Sequence, residues 1–192
     1  MHSNIYISLP AYPFRKMTFQ PLSSLYIEQA KELYLSAFPQ EERRPVDQWL
    51  HLHQVNTSFH ILVIKSGNAF SGILTYWDFN EFIYIEHFAT DIALRGRGLG
   101  QKALCSFIKG VGNRPIILEV ELPQTSLAKR RIGFYERVGF SIIDKPYKQP
   151  PYPGQNGFFP LLIMSTDPLY ANEHYSQIIS IIYREVYQVA IK

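Results

Sequence analysis

Arg95-Gly96-Arg97-Gly98-Leu99-Gly100 constrains this chain more than any other stretch. It separates an aromatic, β-branched run (Phe82 to Thr90) from an amphipathic segment (Leu99 to Lys109), so it reads as a turn between a strand and a helix. Backbone N–H groups at a helix start lack intrahelical partners and lie at the positive end of the helix dipole. Glycine lets that backbone approach a ligand closely, and Arg95 and Arg97 add positive charge. Together these features make a cradle for a pyrophosphate. A tight solvated turn is the plainer reading, yet three alternating glycines with two arginines exceed what a turn requires.

Two kinds of pyrophosphate carrier compete for such a loop. Gly98-Leu99-Gly100-Gln101-Lys102-Ala103 fits the G-x-G-x-x-A form of the dinucleotide fingerprint, and Glu119 follows at the distance of a ribose-binding acid. That fingerprint wants its first glycine directly at a strand end, whereas Asp91 to Arg97 intervene here. The preceding chain also reads as an antiparallel meander and not as a first βα unit. A nucleotide-dependent oxidoreductase is therefore the weaker reading.

At 192 residues the chain suits one domain with its own core. Its 46% hydrophobic and 18% charged residues are a globular composition. A net charge of +3 with no long basic run argues against a general nucleic-acid or membrane-surface binder. Cys105 is the sole cysteine, which excludes an internal disulfide or thiolate metal cluster and suits a reducing cytoplasm. No apolar stretch is long enough to cross a bilayer, and residues 1–16 lack the pattern of a signal peptide, reading instead as an appended arm.

Spacing predicts a strand over Met17 to Leu22 and a helix from Ser23 or Ser24 to near Pro39. A second helix runs from Pro45 to about Gln54, followed by a hairpin of His60 to Lys65 and Phe70 to Trp77 across Ser66-Gly67-Asn68-Ala69. Phe82 to Thr90, the glycine loop, its helix and the strand Ile116 to Glu121 form a parallel crossover. A helix over Ser126 to Val138 carries Leu127, Arg131, Phe134 and Val138 on one side and ends at Gly139. Phe140 to Ile143 and Leu161 to Ser165 read as paired strands. Pro146 to Pro160 between them reads as a proline-rich, aromatic loop, either a lid over the acceptor or a surface crossover. Ala171 to Ala190 reads as one amphipathic helix.

In this order, an antiparallel meander, the Arg95–Gly100 loop, a crossover strand and Phe134-Tyr135-Glu136-Arg137-Val138-Gly139-Phe140 resemble the GNAT superfamily of acyl-CoA N-acyltransferases. Its pyrophosphate motif, Q/R-x-x-G-x-G/A, is matched by Arg95 to Gly100. Its later helix end, of the kind F/L-Y-E-x-x-G-F, is matched by Phe134 to Phe140. The likeness spans about residues 17–165. It departs at Ala128, where the family often has an asparagine seven residues before the tyrosine.

The resemblance implies an α/β (α+β) fold: a mixed, mostly antiparallel twisted sheet of about seven strands flanked by helices, with an extra C-terminal helix. Residues 17–166 would be the acyltransferase domain, 1–16 an N-terminal arm, and 167–192 a C-terminal helix packed on the domain or on a partner in a homodimer. It implies acetyl-CoA as co-substrate and no metal. Arg95, Gly96, Arg97, Gly98, Leu99, Gly100 and Gln101 would hold the pyrophosphate. The backbone of Phe88, Ala89 and Thr90, where the family splays its central strands, would take the pantetheine arm and polarise the acyl carbonyl. The acceptor would be a small-molecule or peptide amine attacking directly in a ternary complex. A catalytically silent acyl-CoA-binding protein is the other alternative.

Such a transfer needs a neutral amine, although an alkylamine has a pKa near 10.4, so a base must take its proton. Glu86 is the first candidate, on a strand side with Phe82, Tyr84 and Phe88 where desolvation would make it basic; a solvated strand glutamate is the competing reading. Glu119 and Glu121, which share a face on the next parallel strand, are the reserves. His87, expected to point opposite to Glu86, reads as a packed core histidine. Tyr135 is the general acid for the leaving thiolate, since a tyrosine near pKa 10 keeps its proton where a thiol near 8.5 needs one. Glu41, Glu42 and Asp47 could attract a cationic amine or simply form a solvated connector. His51 and His53 face different ways on a helix and make a poor metal pair.

Overall fold

The structure, a computed structural model, describes residues 17–189. The expected N-terminal arm over 1–16 and the last residues of the tail lie outside them. Seven strands form one sheet: β1 (Met17–Pro21), β2 (Phe59–Ser66), β3 (Ala69–Asp78), β4 (Ile83–Thr90), β5 (Ile116–Glu121), β6 (Ser141–Gln149) and β7 (Phe159–Ser165). Their spatial order is β1-β2-β3-β4-β5-β7-β6, and only the β4–β5 pair is parallel.

Helices cover both faces because the strands alternate apolar residues to two sides. On one face lie α1 (Ile27–Ala37), α2 (Val46–Val55) and the tail, with Tyr34, Trp49, Ile61, Ile73, Trp77, Tyr84 and Ile182 in one core cluster. On the other lie α3 (Leu99–Gly110) and α4 (Ser126–Glu136), with Leu74, Ile83, Ile85, Leu104, Phe107 and Ile132. In α4 the buried positions are Ala128 and Ile132, while Leu127 is exposed, so the packed face lies one position on from the expected one.

Two irregularities escape a strict alternation. In β3–β4 the register passes from Thr75↔His87 to Tyr76↔Ile85, so Glu86 is an extra residue in a bulge. Tyr84 and Ala89 therefore belong to the first cluster while Phe88 packs on the second, and Glu86 and His87 face the same side. In β6–β7, Asp144 to Pro146 stand opposite Leu162 alone, which lets β6 continue past Pro146 to Gln149 where a loop was expected.

The tail is not one helix. Asp167 caps α5 (Pro168–Glu173) by accepting from the Tyr170 N–H at 3.0 Å; α6 (Tyr175–Ile181) follows and passes into a π-helical turn over Ile182–Val186. It packs on the sheet through Ala171, Ile178, Ile182, Val186 and Tyr187, all buried. Its tyrosines also reach the edge strand β6: Tyr175 Oη donates to the Pro146 carbonyl at 2.9 Å and Tyr183 Oη to that of Lys148 at 2.5 Å.

Candidate active site

Pairing between β4 and β5 stops after Ile85↔Leu118, although β4 runs on to Thr90 and β5 to Glu121. The bulge at Glu86 sits at the point of divergence, where added twist turns the upper part of β4 away from β5. A cavity of about 740 Å³ fills the gap. Phe88, Ala89, Thr90, Arg95 and Gly100 line one side of it, and Glu119, Glu121, Arg131, Phe134 and Tyr135 another. Gly96, Arg97 and Gly98 lie exposed on the adjoining loop, with Leu99 and Gln101 in the first turn of α3.

The loop's glycines are required by its backbone. Gly96 and Gly98 have φ of +76° and +70°, in the left-handed region. Gly98 caps α3, and its carbonyl accepts from the Lys102 N–H at 3.1 Å, which leaves the preceding N–H groups of the first turn without intrahelical partners. Asp91 closes the turn before it by accepting from the Ala93 N–H at 2.9 Å.

Glu86 does not occupy the environment expected of a base. Burial alone would raise its carboxyl, but the Arg44 guanidinium and the Trp77 indole outweigh it and hold the group below the usual carboxylate range. Arg44 Nε lies 3.2 Å from Glu86 Oε1 and Trp77 Nε1 donates to Oε2 at 2.6 Å; neither charged side chain of the pair is more than 2% exposed. Arg44 also donates to the Val186 carbonyl at 2.5 Å and lies 4.8 Å over the Tyr152 ring. His87 is buried between Thr75 Oγ1 and the Glu42 carbonyl, each at 3.0 Å, and burial lowers its pKa, so the neutral ring is the resident form.

Glu119 is the contrasting carboxylate. Burial pushes it up to about 7, against the lowering effect of hydroxyl donors. Tyr147 donates to Oε1 and Tyr187 to Oε2, the latter at 2.8 Å. Glu121 pairs with Arg131 on the same side of the cavity. Burial raises Tyr135 to about 12, so it holds its proton throughout the neutral range. It packs against Phe134 and Phe140 in the geometry the Phe134–Phe140 motif fixes.

Further groups reach the cavity from the 146–160 segment, read in the sequence as a lid or a crossover, and from β7. Gln149, Tyr152, Phe159, Pro160 and Leu161 form its roof, and Gln155 ties the 150–158 loop down by donating to the Gln40 and Arg43 carbonyls at 2.8 and 3.1 Å. Glu41 and Glu42 stand at the lining; Asp47 does not. His53 Nδ1 accepts from the Ile61 N–H, and no group of three or more His, Cys, Asp or Glu among the described residues could hold a metal ion. Cys105 packs against the second core cluster. No helix of the described residues is long and apolar enough to cross a membrane.

The profile of the acetyltransferase (GNAT) family matches residues 24–140. Among solved structures, a protein of Bacteroides thetaiotaomicron assigned to the acetyltransferases of the GNAT family is 39% identical, with a TM-score of 0.80 over 90% of this chain and 99% of that one. The ribosomal-protein-S18-alanine N-acetyltransferase of Escherichia coli shares the fold at 17% identity, with a TM-score of 0.58 over 78% of this chain and 92% of that one. A ribosomal L7/L12 alpha-N-protein acetyltransferase solved with coenzyme A does so at 13% identity, with a TM-score of 0.57 over 80% and 95%. No curated protein gives a significant match. Splayed central strands, a left-handed glycine loop at a helix start and a matching profile over most of the domain agree: the chain belongs to the GNAT acetyltransferase family.

Proposed function

We propose that this protein is an acetyl-CoA-dependent N-acetyltransferase that acylates a primary amine, of a small molecule or a peptide, by direct attack within a ternary complex. The observation that carries this reading is the meeting of Glu119, Tyr135 and the Arg95–Gly100 loop on one cavity between diverging strands. The free N–H groups of the loop and Arg95 suit a diphosphate. The β5-facing edge of β4 over Phe88 to Thr90 is open to a pantetheine arm running as an added strand.

Glu119 takes the amine proton as the nitrogen attacks the thioester carbonyl, since a carboxylate titrating near neutrality accepts a proton far more readily than an ordinary one. Backbone N–H groups of β4 steady the carbonyl oxygen as charge grows there. Tyr135 gives its proton to the sulfur as the C–S bond breaks; solvent then returns a proton to the phenolate and takes away the one Glu119 accepted. Glu86, paired with Arg44, anchors the wall of the site instead of joining the proton traffic.

A panel of amines with acetyl-CoA, followed by free-thiol release, tests the reading directly. Thermal shift with coenzyme A against NAD and NADP separates it from the oxidoreductase alternative. Glu119→Gln and Tyr135→Phe should each slow a verified transfer while coenzyme A binding stays intact. Binding without thiol release from any amine would favour the non-catalytic binder.

A further inference from the structure

Nothing in the Arg95–Gly100 or Phe134–Phe140 motifs points to the chain beyond residue 166, yet that chain reaches into the site. Tyr187 is 1% exposed and its hydroxyl has three partners. It stands 2.8 Å from Glu119 Oε2, 2.6 Å from Gln149 Nε2 and 3.2 Å from Tyr84 Oη. The Gln149 Nε2 group can only donate, and an ionised Glu119 can only accept. Tyr187 therefore spends its single proton on Glu119 and receives from Gln149 and Tyr84. While Glu119 is ionised, the sense of every bond in this relay is fixed.

The backbone that presents Tyr187 is unusual on both sides. The π-helical turn Ile182–Val186 ends directly before it, with the Tyr187 N–H donating to the Ile182 carbonyl at 3.3 Å. Gln188 follows with φ of +57°, a conformation that non-glycine residues rarely adopt. Arg44, already committed to Glu86, clamps the Val186 carbonyl at 2.5 Å. A strained residue and a π-turn persist only where surrounding contacts over-determine them, and here they converge on one hydroxyl.

We propose that Tyr187 is a positioning residue for acetyl transfer: the C-terminal segment brings its hydroxyl behind Glu119, opposite the Tyr147 hydroxyl, and so orients that carboxylate and sets where it titrates. This rests on the reading of Glu119 as the base. The titratable groups facing Glu119 are Tyr84 and Glu86 from β4, Tyr147 from β6, and Tyr183 and Tyr187 from the tail. Glu86 works in the opposite direction to the hydroxyl donors, since its negative charge raises Glu119.

The test is the pH profile of kcat/KM in the full chain for Tyr187→Phe, together with a titration of the Glu119 carboxyl by ¹³C NMR in glutamate-labelled protein, Glu119→Gln identifying the signal. Loss of a hydroxyl that favours the charged form should move both the acid limb and the NMR midpoint upward by about one pH unit, the size expected for a hydrogen bond to a carboxylate. Activity on the alkaline plateau should stay within about threefold of the parent, which a merely structural loss would not give. Site-specific 2,3-difluorotyrosine at position 187 preserves the shape and strengthens the donor, so it should move the limb downward. A limb that stays in place in both variants, while Glu119→Gln abolishes it, overturns the role of Tyr187. A limb that survives Glu119→Gln overturns the assignment of the base and the proposal with it.

Discussion

Replacing Arg44 by Met tests whether Glu86 is an anchor. Arg44 and Glu86 are a buried ion pair with 2% and 0% side-chain exposure, and the same guanidinium holds the tail through Val186. Removing one member of such a pair strands the other and costs about 3–5 kcal/mol. In a domain of this size that is roughly 6–20 °C in Tm. The pH dependence carries the diagnostic sign. In the parent, burial raises the Glu86 carboxyl but Arg44 and Trp77 lower it by more, so Glu86 contributes stability above its unfolded pKa and loses it as pH falls through the depressed folded value. Without Arg44 the burial effect prevails, the folded pKa rises above the unfolded one, and stability falls as pH rises between them. Denaturant unfolding at pH 5 and pH 8 should therefore show a larger deficit of Arg44→Met, relative to the parent, at pH 8. Glu86→Gln in the same background should recover at least about half of that deficit and remove its pH dependence. An equal deficit at both pH values, or a Tm within about 2 °C of the parent, would refute the reasoning.

Other expectations follow from the same geometry. The acid limb of the parent's kcat/KM should lie near pH 7, where Glu119 titrates, with a tenfold loss per unit below it; Glu86→Gln should keep that limb but move it downward, because the Glu86 charge raises Glu119. Tyr135→Phe should lower kcat by about 10²-fold with the Kd for coenzyme A within about twofold, read by single-turnover kinetics and calorimetry. A Cβ on Gly72 would sit 2.4 Å from the Ala89 carbonyl oxygen, so Gly72→Ala must displace β4 and should cost about 1–3 kcal/mol by chemical denaturation. Gly100→Ala would make only ordinary contacts, at 3.6 Å from Thr90 Cγ2 and 3.7 Å from Phe134 Cζ; it should fold normally, so any loss of coenzyme A affinity reports on the cradle itself.

Much of the scaffold was legible because its signals are local. Apolar spacing marks α1 to α4, Ser66 to Ala69 marks the hairpin, and the strand Ile116–Glu121 has the bounds its sequence suggests. The glycine loop was legible because left-handed backbone leaves so few residue choices. What failed to show were features that depend on register. A single extra residue turns Phe88 to the opposite face from Tyr84 and brings His87 round beside Glu86, and nothing in Ile83 to Thr90 marks the bulge. Glu86 reads as basic in the sequence because its partner Arg44 lies 42 residues away. Glu119 carried a fainter signal, a carboxylate between Leu118 and Val120 in a strand that is apolar apart from it and the terminal Glu121. The hydroxyls that serve it, on Tyr147 and Tyr187, come from segments with no motif, and only the folded chain brings them together.

One of the two edge strands, β6, bears on how the protein keeps its own company. An unguarded rim of backbone carbonyls invites other chains to dock and fibrillise. Here Tyr175 and Tyr183 occupy the carbonyls of Pro146 and Lys148, and the proline within that rim withholds an N–H besides. Proteolytic trimming after Thr166 would strip this guard, so the shortened chain should self-associate at concentrations where the intact protein stays dispersed, a difference that light scattering would register.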